Sequence, residues 1–311
     1  MHSKKILIHI GMGRCGSSSI QYALSSKRLE LAAKGINYPA TRPGDDAQHV
    51  LGWLTDDKIE ESEQSWREVL SGFTQSGSHT LLVSTENFTA IPYRLFDSIR
   101  KMLAGYSVEV IFIIRNQREL LPSIYAQWIK ARIAFRSFDH FYRVTKQEWH
   151  FSHILKRWSD AYGVENMKCA VLRPKSDAIQ LFSECCGEDG GVREILRDTN
   201  IRMNAGINPA LIRFLVLFDR LNSRNKISST FPGWNHIEPS RPDRNAWVRE
   251  KLVNFLEIRS KSRFEKSRWN LSKKLQSEIA AEYEATNTEF HAKYLGQEPK
   301  DWFGSVKSKC I

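Results

Sequence analysis

Three groups of residues in this chain could do chemistry on an anionic ligand. The first is Gly11-Met12-Gly13-Arg14-Cys15-Gly16-Ser17-Ser18-Ser19, where glycines, an arginine and three hydroxyls crowd together. Ile6, Leu7 and Ile8 precede it as an unbroken apolar run, the pattern of a strand buried on both faces of a parallel sheet. Ile20, Ala23, Leu24 and Leu31 follow it as the apolar stripe of a helix. A strand, a turn loosened by glycine and a helix start make an anion cradle, because free N–H groups and the positive end of the helix dipole point into the loop. The second group is Glu86, just past the apolar strand Thr80 to Val83, where the carboxyl ends of parallel strands line a ligand crevice. Its alternative is a carboxylate that caps the turn near Phe88. The third is Arg115, which leaves the strongest apolar run, Val108 to Ile114, with Ser123 eight residues further on in a helix that also carries Pro122, Tyr125 and Trp128.

The loop reads G-x-x-x-x-G-S-S from Gly11 to Ser18, close to the triphosphate P-loop, but with Ser17 where that motif has its lysine and with the cation moved upstream to Arg14. His9-Ile10-Gly11 through Ser19-Ile20-Gln21 resembles the 5′-phosphosulfate-binding loop of sulfotransferases that use 3′-phosphoadenosine 5′-phosphosulfate (PAPS). Arginine before Cys-Gly-Ser-Ser departs from the lysine of typical bacterial members, toward several Golgi carbohydrate and tyrosylprotein enzymes. The resemblance implies a P-loop-like, three-layer α/β fold with a central parallel sheet flanked by helices and a helical C-terminal part. It places PAPS on Arg14, Cys15, Gly16, Ser17, Ser18 and Ser19, and the 3′-phosphate on Arg115 and Ser123. By the same resemblance Glu86 is the base and Arg14 stabilises charge on the leaving phosphate. His49 becomes a secondary catalytic candidate facing the acceptor, although a lone histidine beside Val50 and Leu51 is more often structural. No metal is expected, and the product is adenosine 3′,5′-bisphosphate.

Composition fits an ordinary folded protein of 311 residues, and a single sulfotransferase domain over 1–311 is the expectation. No apolar run approaches a membrane span, and Met1-His2-Ser3-Lys4-Lys5 enters the first strand directly, so a cytoplasmic protein without a transmembrane segment is expected. Five cysteines, with Cys185 beside Cys186, do not form a disulfide framework or a zinc spacing. The 46 basic and 35 acidic residues leave a net charge of +11, which would attract nucleic acid, anionic membranes or small anions alike.

Elsewhere the spacing predicts a short strand or turn at Gly35 to Pro39, a helix over Glu61 to Phe73, a helix ending in Trp158 and a strand from Met167 to Leu172. That last strand leads to Arg173-Pro174-Lys175, where bacterial members of the family commonly have an acidic residue. Ser137 to Phe141, Asn204 to Pro209 and Tyr283 to Gly296 resemble the bacterial group too, so the likeness spans most of the chain. Asn208 and Pro209 read as the cap and first turn of a helix. Arg259 to Lys274, rich in Arg, Lys and Ser, is either a solvated face or a strip for an anionic ligand.

A P-loop kinase and a nucleic-acid-binding protein stay open as other classes. The missing loop lysine stands against the first, and the spread of charge without a recognised motif against the second. The resemblance favours a hydroxyl of a glycan or glycolipid as acceptor, with a tyrosine peptide or a small molecule as rivals, and no nucleic-acid partner.

Overall fold

The computed structural model describes residues 4–131, 137–187, 191–197, 199, 201, 212, 215–217, 271–296 and 302. The chain forms two compact units, one of Met1–Asn116, His150–Met203 and Glu282–Ile311, the other of Gln117–Trp149 and Asn204–Ala281.

The first unit is built on a parallel sheet of β1 (Lys5–Ile10), β2 (Ile36–Asn37), β3 (Thr80–Thr85), β4 (Ser107–Ile114) and β5 (Met167–Val171), in the order β2-β3-β1-β4-β5. Because β1, β3 and β4 are apolar on both faces, they can lie only between two layers of helices. Leu7, Leu82, Ile111 and Ile113 form one face. It packs on α1 (Ser17–Ser26) through Ile20 and Leu24, on α2 (Arg28–Ala33) through Leu31, and on α8 (Ala178–Cys185) through Ile179 and Phe182.

On the other face Phe112 meets Phe151 of α7 (Phe151–Tyr162) and Phe290, the last residue of α10 (Lys273–Phe290), with ring centroids 6.2 Å apart in both pairs. Trp66 of α3 (Ile59–Gln75) stacks on Phe88, which meets Trp158, and Trp158 meets Phe96 of α4 (Tyr93–Met102). The three-layer, P-loop-like α/β architecture with a central parallel sheet is therefore observed, and a helix lies in the C-terminal part. The short helix α9 (Val192–Leu196) adds Val192 and Leu196 to the first face.

In the second unit α5 (Gln117–Lys130) and α6 (Phe138–Thr145) share an aromatic core, with Tyr125 and Trp128 each 5.5 Å from Phe141. Ser137 caps α6 by accepting from the His140 N–H at 3.1 Å.

Two expectations change in detail. The stripe from Ile20 to Leu31 belongs to two helices, because Lys27, at φ −110°, breaks α1 from α2 while the apolar spacing runs on across the break. Strand β1 continues to Ile10, since the polar His9 is buried in a hydrogen bond of its Nδ1 with Ser84 Oγ, 2.8 Å away. Asn204 to Pro209 and most of Arg259 to Lys274 lie outside the described residues. Cys15, Cys169, Cys185 and Cys186 are free thiols. No described helix is long and apolar enough to cross a membrane.

Candidate active site

The loop after β1 is tied to the end of β3. The Gly11 N–H donates to the Thr85 carbonyl at 3.0 Å, and a β-carbon on Gly11 would lie 3.0 Å from both Glu86 Cγ and Ser17 Oγ. Glycine is thus what allows the carboxylate and the first helical hydroxyl to close on the same point. The loop then curls around one carbonyl, that of Met12, which accepts from Cys15 N–H at 3.1 Å and from Ser17 Oγ at 2.9 Å. Arg14 (φ 65°) and Gly16 (φ 89°) take left-handed backbone, and a β-carbon on Gly16 would lie only 2.2 Å from that of Ala178 at the start of α8.

No side chain caps α1, and its first turn holds no acidic residue. Its positive end therefore suits an anion. Helix α8 beside it is different, because Asp177 accepts from the Ile179 and Gln180 N–H groups at 2.8 and 3.4 Å.

Within the loop the candidates differ in what they can offer. Cys15 is buried and its thiol is pushed up to about 12 by burial, so it stays neutral and can present only its backbone. Ser17, also buried, directs its hydroxyl proton at Met12, whereas Ser18 is half-buried and Ser19 buried.

Glu86 opens the 3₁₀ turn Glu86–Thr89. The cap of that turn is Thr85, whose Oγ1 accepts from the Asn87 N–H at 3.2 Å, so the Glu86 carboxylate is not spent on capping. Burial raises the Glu86 pKa, and the nearby charge of Arg14 pulls it part of the way back. Arg14 is itself lowered, first by burial and then by the charge of Arg115, with Glu86 acting in the opposite direction. Arg14 therefore feels both a like charge, Arg115, and an opposite one, Glu86.

His49 stands beside the end of β3, its Nδ1 2.9 Å from Thr85 Oγ1. The residue is exposed, yet desolvation lowers its pKa against the pull of Asp45. Ser123 lies half-buried in α5, in the second unit.

One residue with no signal in the sequence holds this corner together. Gln48, 1% exposed, accepts from the Ser84 N–H through Oε1 at 2.7 Å, donates its own N–H to the Ser84 carbonyl at 3.0 Å and its Nε2–H to the Pro39 carbonyl at 2.9 Å. It acts as an extra strand partner for β3 two residues before Glu86, and it sets His49 against Thr85. On the far side of Ser84, Oγ meets His9 Nδ1 at 2.8 Å and Gln21 Nε2 at 3.2 Å. Among the described residues, no group of three or more His, Cys, Asp or Glu side chains is placed to hold a metal ion.

No family model matches the chain, and no curated protein matches it by sequence. Among solved structures it is similar to a sulfotransferase from Alicyclobacillus acidocaldarius, with 15% identity and a TM-score of 0.41 over 69% of this chain and 91% of that one.

Proposed function

We propose that this protein is a sulfotransferase, one domain over residues 1–311, that moves the sulfuryl group of PAPS to an acceptor hydroxyl. The observation that supports the reading is that Glu86, at the end of β3, closes on Gly11 and Ser17 at the uncapped start of α1, where Arg14 feels the charges of both Glu86 and Arg115. An anion is met there by the backbone of Gly16 to Ser18, by Arg14 and by Arg115, while a carboxylate not used in capping stands beside it as a base.

Bound PAPS supplies an activated S–O bond to phosphate, and transfer leaves adenosine 3′,5′-bisphosphate. The chain's own part is positioning and charge. Glu86 takes the proton of the acceptor hydroxyl as its oxygen bonds to sulfur, and Arg14 stabilises the negative charge left on the phosphate oxygen. Arg115 holds the 3′-phosphate, and His49 orients the acceptor. None of these roles calls for a metal. The acceptor is a glycan or glycolipid hydroxyl met in the cytoplasm.

The test is a thermal-shift panel of adenosine 3′,5′-bisphosphate without metal, ATP with Mg²⁺, and a DNA duplex. The bisphosphate should stabilise most, and Arg115→Ala should weaken its binding about ten- to hundred-fold, the loss of a charged hydrogen bond. Greater stabilisation by ATP with Mg²⁺ would assign a kinase instead, and by the duplex a nucleic-acid-binding protein. Labelled PAPS offered to separate pools of glycans and tyrosine peptides reads the acceptor, and label on tyrosine alone would overturn the glycan assignment.

A further inference from the structure

The turn between β5 and α8 brings another cation to the same edge of the sheet. Among the described residues, only two that are not glycine have positive φ: Arg14 at 65° and Lys175 at 83°. Both are basic. Left-handed backbone strains any residue with a β-carbon and suits glycine, so a lysine held there points to a use for its side chain.

The surroundings of these two residues are joined. Ala178, three residues after Lys175, is the residue that a β-carbon on Gly16 would strike at 2.2 Å, and Gly16 is two residues after Arg14. At the other end of the turn, the Leu172 N–H donates to the Ile114 carbonyl at 2.8 Å, so the chain leaves β5 alongside the point where β4 gives way to Arg115. The turn is closed by the Ser176 N–H on the Arg173 carbonyl at 3.0 Å and by the Arg173 N–H on Ser176 Oγ at 3.3 Å. Asp177 turns its carboxylate onto the first amides of α8, while Lys175 is exposed. Three residues span at most about 10 Å, and lysine adds a flexible four-carbon stem, so its turn belongs to the same sheet edge as the loop and the end of β4.

We propose, resting on the reading above, that Lys175 binds the nucleotide and shares with Arg115 the phosphate on the 3′ side of an adenosine bisphosphate. The basic turn then answers a second phosphate that a simple nucleoside 5′-phosphate lacks. A lysine in a strained turn is a worse fit for the fold than glycine and a better fit for the ligand.

That opposition makes the test. Wild type, Lys175→Gly and Lys175→Arg are titrated with adenosine 3′,5′-bisphosphate and with adenosine 5′-monophosphate by calorimetry, and melted without ligand. Lys175→Gly should melt no lower than wild type, bind the bisphosphate about tenfold more weakly, and bind the monophosphate as wild type does. Lys175→Arg should bind the bisphosphate more tightly than the glycine variant. Wild-type bisphosphate affinity in Lys175→Gly, or an equal loss for the two nucleotides, overturns the assignment while leaving the proposed activity standing. Failure of the wild type to bind the bisphosphate at all overturns both.

Discussion

Replacing Gly16 with alanine tests how the loop is seated. Gly16 sits at φ 89° and ψ 4°, where a residue with a β-carbon is strained by roughly 1–2 kcal/mol. The added methyl would also lie 2.2 Å from the Ala178 β-carbon, against about 3.5–4.0 Å for two carbons in contact. Helix α8 would have to retreat by about 1.5 Å, and overpacking of that kind costs about 1–3 kcal/mol. Together these give about 2–5 kcal/mol, a large share of a domain stability of about 5–15 kcal/mol.

The two contributions separate in a double-mutant cycle. Ala178→Gly alone should cost only about 0.5–1 kcal/mol, and it removes the atom that Gly16→Ala would strike. The double variant should then keep the backbone strain and lose the clash, so that it is more stable than the sum of the single changes by about 1–3 kcal/mol. Urea unfolding of the four proteins measures this. Additivity to within about 0.5 kcal/mol would refute the contact between α8 and the loop, and with it the placing of Lys175.

Glu86→Gln should lower turnover about 10²- to 10⁴-fold and leave bisphosphate affinity near wild type, read by rates and calorimetry. Burial raises the folded-state pKa of Glu86, so its contribution to stability is fully present below the ordinary carboxylate pKa of about 4.3 and is lost as pH rises toward the raised value. The glutamine variant should therefore gain on wild type in melts at pH 8 compared with pH 4. Gln48→Ala leaves the buried Ser84 N–H and the Pro39 carbonyl without their side-chain partner and should cost about 1–3 kcal/mol in urea unfolding. A loss under about 0.5 kcal/mol would show that β3 holds its end without the clamp.

What could be read in the sequence is what is encoded locally. The apolar runs at Ile6, Thr80 and Val108 mark strands that the sheet buries almost throughout, while the run at Met167 marks a half-buried edge strand. Glu86 was legible for a related reason, since the residue after a parallel strand must emerge at the sheet's carboxyl edge. Gly11 and Gly16 mark the loop because one admits a close approach of Glu86 and Ser17 and the other a left-handed backbone. Contacts between distant segments left no such trace. Gln48 clamps a strand 36 residues away, and Ala178 presses on a glycine 162 positions earlier. Neither residue has a spacing or neighbours that mark it. His9 was hidden in the opposite way, because its polarity breaks an apolar run although a partner on β3 satisfies it.

In the proposed reaction the charges around Arg14 couple anion binding to the protonation of Glu86. Arg115 lowers the pKa of Arg14 and Glu86 raises it, so Arg14 feels one like and one opposite charge. Arg14 in turn is what restrains the burial-driven rise of the Glu86 pKa. An anion that binds Arg14 offsets part of that restraint, and Glu86 then holds a proton more tightly than before. Binding free energies are reciprocal, so a proton on Glu86 must favour the anion by the same factor. A phosphosulfate donor bound in this loop would therefore strengthen the base beside it before any acceptor arrives. A carboxylate on a surface loop, screened by water from its arginine, would feel little of this change. The glycine at position 11 lets Glu86 Cγ and Ser17 Oγ close on the loop backbone, and Glu86 is half-buried there, so water screens the coupling only in part.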